Sequence, residues 1–300
     1  MGVRFNMRAR SINIKSIFAV IAVLACVFIY NSFAGGSFSV PEGTISVHFV
    51  DVGQGDATII LSSDGEAMLI DAGTPDSRDE LCSYISSLGI REFDYVVFTH
   101  PHSDHIGGGS RILERFGVGS IIMPNASHTS NLYENLLDDI LEKDIPVTEA
   151  NAGDHFYMGD AKFTVLAPNG DGYADLNNYS VVLKMEFGRR AFLFCGDAEI
   201  ESESEMLSAF LAGELSADVI KLGHHGSSTS SSSRFLNAVD PSIAIASLGK
   251  NNEYGHPHRE VLSALESRGI TFYRTDIDKT VVLLCDGKDI SFYDENGGAK

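Results

Sequence analysis

Apolar and polar positions alternate along Ile45-Ser46-Val47-His48-Phe49-Val50, the pattern of a strand with one buried face. Two further apolar runs, Ala57 to Leu61 and Ala67 to Ile70, flank Ser62-Ser63-Asp64-Gly65. Asp-Gly is a hairpin signal, so these two strands are predicted to pair antiparallel. From Ser77 to Leu88 the spacing of Leu81, Tyr84, Ile85 and Leu88 predicts a helix that Gly89 ends. Tyr95-Val96-Val97-Phe98 has the length and β-branched content of a buried strand. Beyond it the pattern predicts a short helix from Ser110 to Phe116, a strand from Ser120 to Met123 and an amphipathic helix from Asn131 to Lys143. Strands follow at Lys162 to Ala167, Ser180 to Phe187 and Arg190 to Cys195, the last two joined by a tight turn at Gly188-Arg189. Then come an acidic helix from Glu199 to Leu211, a strand from Val219 to Leu222, a helix starting at Arg234 and a strand from Ser242 to Ser247. A helix from Glu260 to Gly269 and strands at Thr271 to Arg274, Thr280 to Cys285 and Ile290 to Tyr293 close the chain. Strands and helices in two successive halves suit an α/β sandwich of two sheets with helices outside.

The first residues behave differently. Arg4, Arg8, Arg10 and Lys15 precede an unbroken apolar run from Ile17 to Tyr30, and Ser32-Phe33-Ala34 follows before Gly35-Gly36. A basic flank, a short apolar segment and small residues describe a secretory signal. An uncleaved anchor is the alternative, since Asn31 to Ala34 would bring the run close to the length of a span. Val23-Leu24-Ala25 before Cys26 offers a lipoprotein reading, against which the apolar run continues past the cysteine. On each reading the folded part is secreted or anchored on the outer face of the cytoplasmic membrane. Residues 1–35 are therefore taken as signal or anchor, and the Gly- and Ser-rich residues 36–43 as a linker.

The 300 residues are 44% hydrophobic, ample for a core, and exclude a disordered or fibrous chain. The net charge is −19, and residues 1–35 hold four of the 22 basic residues and none of the 41 acidic ones, so the remainder is more acidic still. Such a charge favours solubility and opposes non-specific binding to nucleic acid or anionic lipid. Cys82, Cys195 and Cys285 are too few and too scattered for a disulfide framework and read as small buried residues. The run Ser227 to Ser233 reads as a mobile loop.

Chemistry concentrates after the strand at Tyr95 to Phe98. His100-Pro101-His102-Ser103-Asp104-His105, followed by Gly107-Gly108, puts three imidazoles and a carboxylate within six residues on the loop where a strand stops. Imidazole nitrogen and carboxylate oxygen are the donors that borderline divalent ions accept. Later strand ends carry Gly196-Asp197 and His224-His225, and an earlier one Asp71-Ala72-Gly73.

In that order these segments resemble the metallo-β-lactamase superfamily. More narrowly, Asp51-Val52-Gly53-Gln54-Gly55-Asp56-Ala57, Leu193-Phe194-Cys195-Gly196-Asp197, Lys221-Leu222-Gly223-His224-His225-Gly226-Ser227 and Tyr254-Gly255-His256-Pro257 resemble the metallo-β-lactamase-like domain of ComEC-type competence proteins. The likeness runs from about residue 44 to residue 294. A single apolar segment stands where those proteins carry a polytopic membrane channel, so a stand-alone secreted or anchored relative is expected.

The resemblance implies an αββα sandwich with two divalent ions, zinc or manganese, on one edge. His100 and His102 would hold the first ion, Asp104, His105 and His225 the second, and Asp197 would bridge them. His224 is a further candidate ligand, while Asp71, Asp51 and Asp56 would support the ligands from behind. Many members carry a third histidine for the first ion about twenty residues before the bridging aspartate. Here Ala174-Asp175-Leu176-Asn177-Asn178-Tyr179-Ser180 occupies that place, and Asp175 or Asn178 would substitute. Oxygen donors there would tilt the preference from zinc towards manganese. His128 and His155 read as surface histidines.

Two such ions lower the pKa of a bound water and neutralise charge on a phosphoryl or acyl oxygen. Hydrolysis is thus expected, with metal-bound hydroxide as nucleophile, Asp104 or a histidine such as His225 as proton carrier, and His256 contacting substrate phosphate or protonating the leaving group. A phosphodiester substrate is expected, DNA or a cell-envelope unit. Against DNA, the basic residues form no stripe, Arg189-Arg190 being the adjacent pair outside the N-terminal segment. Hydrolysis of a lactone, thioester or β-lactam, and an inactive cell-surface binding module, are the alternatives.

Overall fold

The computed structural model describes residues 38–293. The expected signal or anchor at residues 1–35 lies outside the described residues, as does the start of the linker. Among the described residues no helix is long and apolar enough to cross a membrane.

The first half of the chain supplies β1 (Ile45–Phe49), β2 (Thr58–Ser62), β3 (Ala67–Ile70), β4 (Glu92–Val97), β5 (Gly117–Met123) and β6 (Val147–Glu149). The second half supplies β7 (His155–Met158), β8 (Ala161–Ala167), β9 (Val182–Phe187), β10 (Arg190–Phe194), β11 (Val219–Lys221), β12 (Ile243–Ala246) and β13 (Thr271–Arg274). The closing strands β14 (Val281–Cys285) and β15 (Ile290–Tyr293) return to the first sheet, whose order is β15-β14-β1-β2-β3-β4-β5-β6. The second sheet runs β13-β12-β11-β10-β9-β8-β7. β2 and β3 pair antiparallel across the Asp64-Gly65 turn, as the hairpin signal predicts. β3, β4 and β5 are parallel neighbours, as are β10, β11 and β12.

Period-two alternation explains the layers. On β9 and β10 the positions Leu183, Met185, Phe192 and Phe194 turn inward to meet Val47, Phe49, Ile60 and Met68 of the first sheet. Their neighbours Val182, Leu193 and Cys195 turn outward, under Met206, Leu236 and Leu265 of the helices Ile200–Ala209, Ser233–Val239 and Arg259–Arg268. On the opposite outer face His48 of β1 reaches Tyr84 of the helix Arg78–Ser87. The result is the αββα sandwich. Cys82, Cys195 and Cys285 are free and buried.

Three features depart from the sequence reading. The strands β6 and β7 and the short helices Ala212–Leu215 and Thr275–Asp278 carry no clear periodicity; β6 is an exposed edge strand, so burial imposes no alternation on it. The helix expected from Glu199 to Leu211 stops at Ala209. The serine run is not a loose loop: Ser227, Ser230 and Ser231 are buried, and Ser230 Oγ donates to Ala198 O at 2.8 Å. The carboxylate of Glu203, itself buried, accepts the backbone N–H groups of Ser231 and Ser232. That partner lies 28 residues away, beyond any local reading of a serine-rich stretch.

Candidate metal centre

β1, β3, β4, β10 and β11 all end on one edge of the sandwich, and their outgoing loops carry the chemistry. Asp71, just after β3, accepts from Thr99 N at 2.8 Å and Thr99 Oγ1 at 2.7 Å, and its Oδ2 lies 2.7 Å from His105 Nδ1. One carboxylate thus fixes the start of the histidine loop and the ring of its last histidine. The helical turn Ser103–Ile106 then sets Asp104 and His105 side by side. The chain folds this tightly because Gly108 has no side chain: a Cβ there would land on the carbonyl oxygen of Ala72.

Around Asp197, at the end of β10, four imidazoles converge. Asp197 Oδ2 lies 3.2 Å from His105 Nε2, 3.6 Å from His225 Nε2, 3.8 Å from His100 Nε2 and 3.9 Å from His224 Nε2. Asp104 Oδ2 is 3.2 Å from His225 Nε2, and His100 Nε2 is 2.9 Å from His102 Nδ1. His224 and His225 reach the cluster through left-handed backbone, φ 47° and 53°. His225 Nδ1 sits 2.8 Å from Ser247 O, which can only accept, so Nδ1 holds a proton and Nε2 faces the carboxylates.

This donor set fits a divalent ion. One ligand atom each from Asp104, His105, Asp197 and His225 lie within 4.8 Å of one another. His105 Nε2 and Asp197 Oδ1 are sealed from water and make no well-formed hydrogen bond among the described residues, the 3.2 Å approach of Asp197 Oδ2 to His105 Nε2 included, a costly condition that a cation relieves. The charges tell the same story. Burial disfavours a charge on His225, but Asp197, Asp56 and the contact with Asp104 reverse this and hold its pKa up at about 10. Burial is likewise outweighed at His105, which Asp197, Asp71 and Asp104 push well above the usual histidine range. At His100 burial and the neighbouring His105 win, and its pKa falls well below that range.

Beneath the histidines Lys221, on β11, forms a buried ion pair with Asp56 and also reaches Gly196 O at 3.3 Å. Asp56 Oδ1 is 3.5 Å from His225 Nδ1. Asp56 and Asp71 therefore both stand behind the cluster. Asp51 does not: it accepts from Gly53 N and pairs with Lys279. His224 Nδ1 lies 3.1 Å from Glu199 Oε1.

A cavity of about 410 Å³ opens onto the cluster, lined by His102, Asp104, Asp197, His224, His225 and His256. His256 is buried, its Nδ1 without a hydrogen-bond partner among the described residues and its ring 5.6 Å from that of His224. Burial, with His225 and His224 beside it, lowers its pKa to about 4. Asp175 is exposed and caps the turn Leu176–Tyr179 by accepting from Asn177 N. Asn178 is turned away from the cavity, accepting from Glu199 N and Ser202 N and donating to Glu201. Asn177 and His128 line the cavity instead. His128, read from sequence as a surface residue, packs its ring 6.2 Å from that of His102, because the loop before the helix Asn131–Glu142 folds over the site. His155 is exposed on β7. Lys221 stands out in the sequence as a charge inside an apolar strand, and Asn177 lies in the segment expected to complete the first position, where Asp175 or Asn178 was the expected ligand; nothing local marks His128.

Residues 50–250 match the family described as the metallo-beta-lactamase superfamily, and the chain belongs to it. It is 33% identical over 252 residues to ComE operon protein 3 of Bacillus subtilis, covering 78% of this chain and 32% of that one. It is 32% identical over 243 residues to Competence protein ComA of Neisseria gonorrhoeae, covering 80% of this chain and 32% of that one. The chain thus spans about a third of the length of the curated relatives it matches. Among solved structures it resembles CmlA, a diiron beta-hydroxylase from Streptomyces venezuelae, with TM-score 0.53 and 16% identity over 78% of this chain and 53% of that one. It also resembles YhfI from Bacillus subtilis, with TM-score 0.50 and 12% identity over 77% of this chain and 95% of that one. These likenesses carry the fold. The fold and the kinship with ComEC-type competence proteins expected from the motifs are both shown.

Proposed function

We propose that this chain is a dinuclear-metal-dependent hydrolase of phosphodiesters. The convergence of Asp104, His105, Asp197 and His225 within 4.8 Å, with the His100–His102 pair alongside, carries the reading. His100 and His102 would hold one ion, Asp104, His105 and His225 the other, with Asp197 between them; His224 lies at the rim. Zinc or manganese, when bound, supplies Lewis acidity and an activated water. The chain's own groups do the rest. Asp71 holds His105 and the histidine loop in register, Asp56 and Lys221 back His225, and Asp104 faces the cavity as a proton acceptor. His256, across the cavity, contacts a substrate oxygen or the leaving group.

Among the described residues, no lysine or arginine lines this cavity. Arg189 and Arg190 sit at the β9–β10 turn, at the other end of β10 from Asp197. That distribution favours a short or locally presented phosphodiester, such as a cell-envelope unit, over a long stretch of DNA backbone. DNA, the other phosphodiester expected from the motifs, is the substrate to compare. Residues 44–294 form the hydrolase domain in this reading, and the basic-then-apolar N-terminus supports placement outside the cytoplasmic membrane.

The test is elemental analysis of the purified protein, with hydrolysis of bis-p-nitrophenyl phosphate followed in zinc and in manganese. About two ions per chain and turnover lost in His102→Ala and Asp197→Ala are expected. A protein that binds neither ion and turns over nothing would overturn the reading.

A further inference from the structure

We propose that Asn177 supplies the oxygen ligand that completes the first metal position; the inference rests on the metal-dependent reading above. His100 Nε2 lies 2.9 Å from His102 Nδ1 and 3.8 Å from Asp197 Oδ2, so the three side chains offer three protein donors at one spot. An ion in the octahedral geometry that manganese favours has room for more ligands than three protein donors and a water supply. The turn Leu176–Tyr179 and the residue after it lie against that spot. Ser180 Oγ lies 3.3 Å from His100 Nδ1 and accepts from Asp197 N at 3.0 Å, and Val181 N donates to Thr99 O. The segment is therefore tied to both loops that carry the other donors.

Its side chains divide cleanly. Asp175 caps the turn, Asn178 is fully used at the start of the helix Ile200–Ala209, and Ser180 is spent on the histidine loop. Asn177 lines the cavity, is 5% exposed, and its Oδ1 is sealed from water with no hydrogen-bond partner among the described residues. His105 Nε2 and Asp197 Oδ1, two of the proposed ligand atoms, are in the same condition. Buried amide oxygens are ordinarily paired, so an unpaired one in a site built for a cation is most simply a ligand. The rival in the same cavity is His128, whose Nδ1 is 2.8 Å from Ser130 Oγ and which is half-buried. A neutral oxygen donor beside two imidazoles makes the first position the weaker one and the more tolerant of manganese.

Metal stoichiometry by elemental analysis and calorimetric titration with manganese and with zinc test this on the full chain, with circular dichroism confirming folding. Asn177→Ala is expected to retain about one ion after gel filtration and to lose at least tenfold in manganese affinity at the weaker position. Asn177→Asp keeps both ions, and Asn177→His keeps both while shifting the weaker position towards zinc. Should Asn177→Ala hold both ions with unchanged affinity while His100→Ala loses one, the assignment falls and the metal reading stands. Loss of the ion in His128→Ala but not in Asn177→Ala overturns it in favour of the histidine. Wild-type protein that binds no metal overturns the parent reading instead.

Discussion

Lys221 and Asp56 face one another beneath the histidines, both buried, and neither can be removed alone without stranding the other's charge. Lys221→Met is therefore expected to cost ~3–5 kcal/mol in denaturant unfolding, and Lys221→Met with Asp56→Asn much less than the sum of the two single changes. His48 is a separate case, buried between Ser46 Oγ and Tyr84 OH, with its pKa lowered by burial to about 3. Neutral in the folded chain, it takes a proton near pH 6.5 once unfolded. Its contribution is thus complete above about pH 6.5 and is lost as pH falls towards 3, on the order of 5 kcal/mol across the window. His48→Gln should flatten the acid limb of a stability-versus-pH curve; an unchanged limb assigns the acid sensitivity elsewhere.

At the scale of elements, the site depends on how loops are pinned to strand ends. The serine run illustrates it, since two of its amides are held by Glu203 from the helix Ile200–Ala209. Glu203→Ala leaves those buried N–H groups unpaired and is expected to destabilise by ~1–3 kcal/mol. Hydrogen exchange at Ser231 and Ser232 reads it directly, since faster exchange there, with the β10 amides still protected, marks local release. Gly108→Ala is expected to do more, because the new Cβ meets the Ala72 carbonyl and pushes the histidine loop off the β3 end. Reduced metal content as well as a lower Tm would follow from that displacement; normal metal content would show that the loop can give way.

Taken as a whole, the chain carries a net charge of −19 and gathers buried carboxylates at one edge. Asp197, Asp56 and the contact with Asp104 outweigh burial and hold the pKa of His225 up at about 10, so it carries a second proton at neutral pH. An ion at the same place displaces that proton, so metal affinity should rise with pH through the neutral range and fall in acid. Calorimetry in two buffers of different ionisation enthalpy measures the protons released on binding; none released would contradict the assignment of His225 as a ligand.

Much of this protein was legible in its order of residues. Short-range periodicity determined most of the strands and helices, because a strand's alternation and a helix's stripe record which face is buried. The spacing of His100, His102, Asp104 and His105, with Asp197 and His225 at later strand ends, marked a metal-type donor set, since few other purposes bring those groups to rigid ends. Tertiary structure alone decided which of Asp175, Asn177 and Asn178 enters the cavity, that His128 stands beside His102, and that Lys221 meets Asp56 across the two sheets. Those partners are distant in sequence, and the direction of a loop side chain follows from what it packs against rather than from its neighbours in the chain.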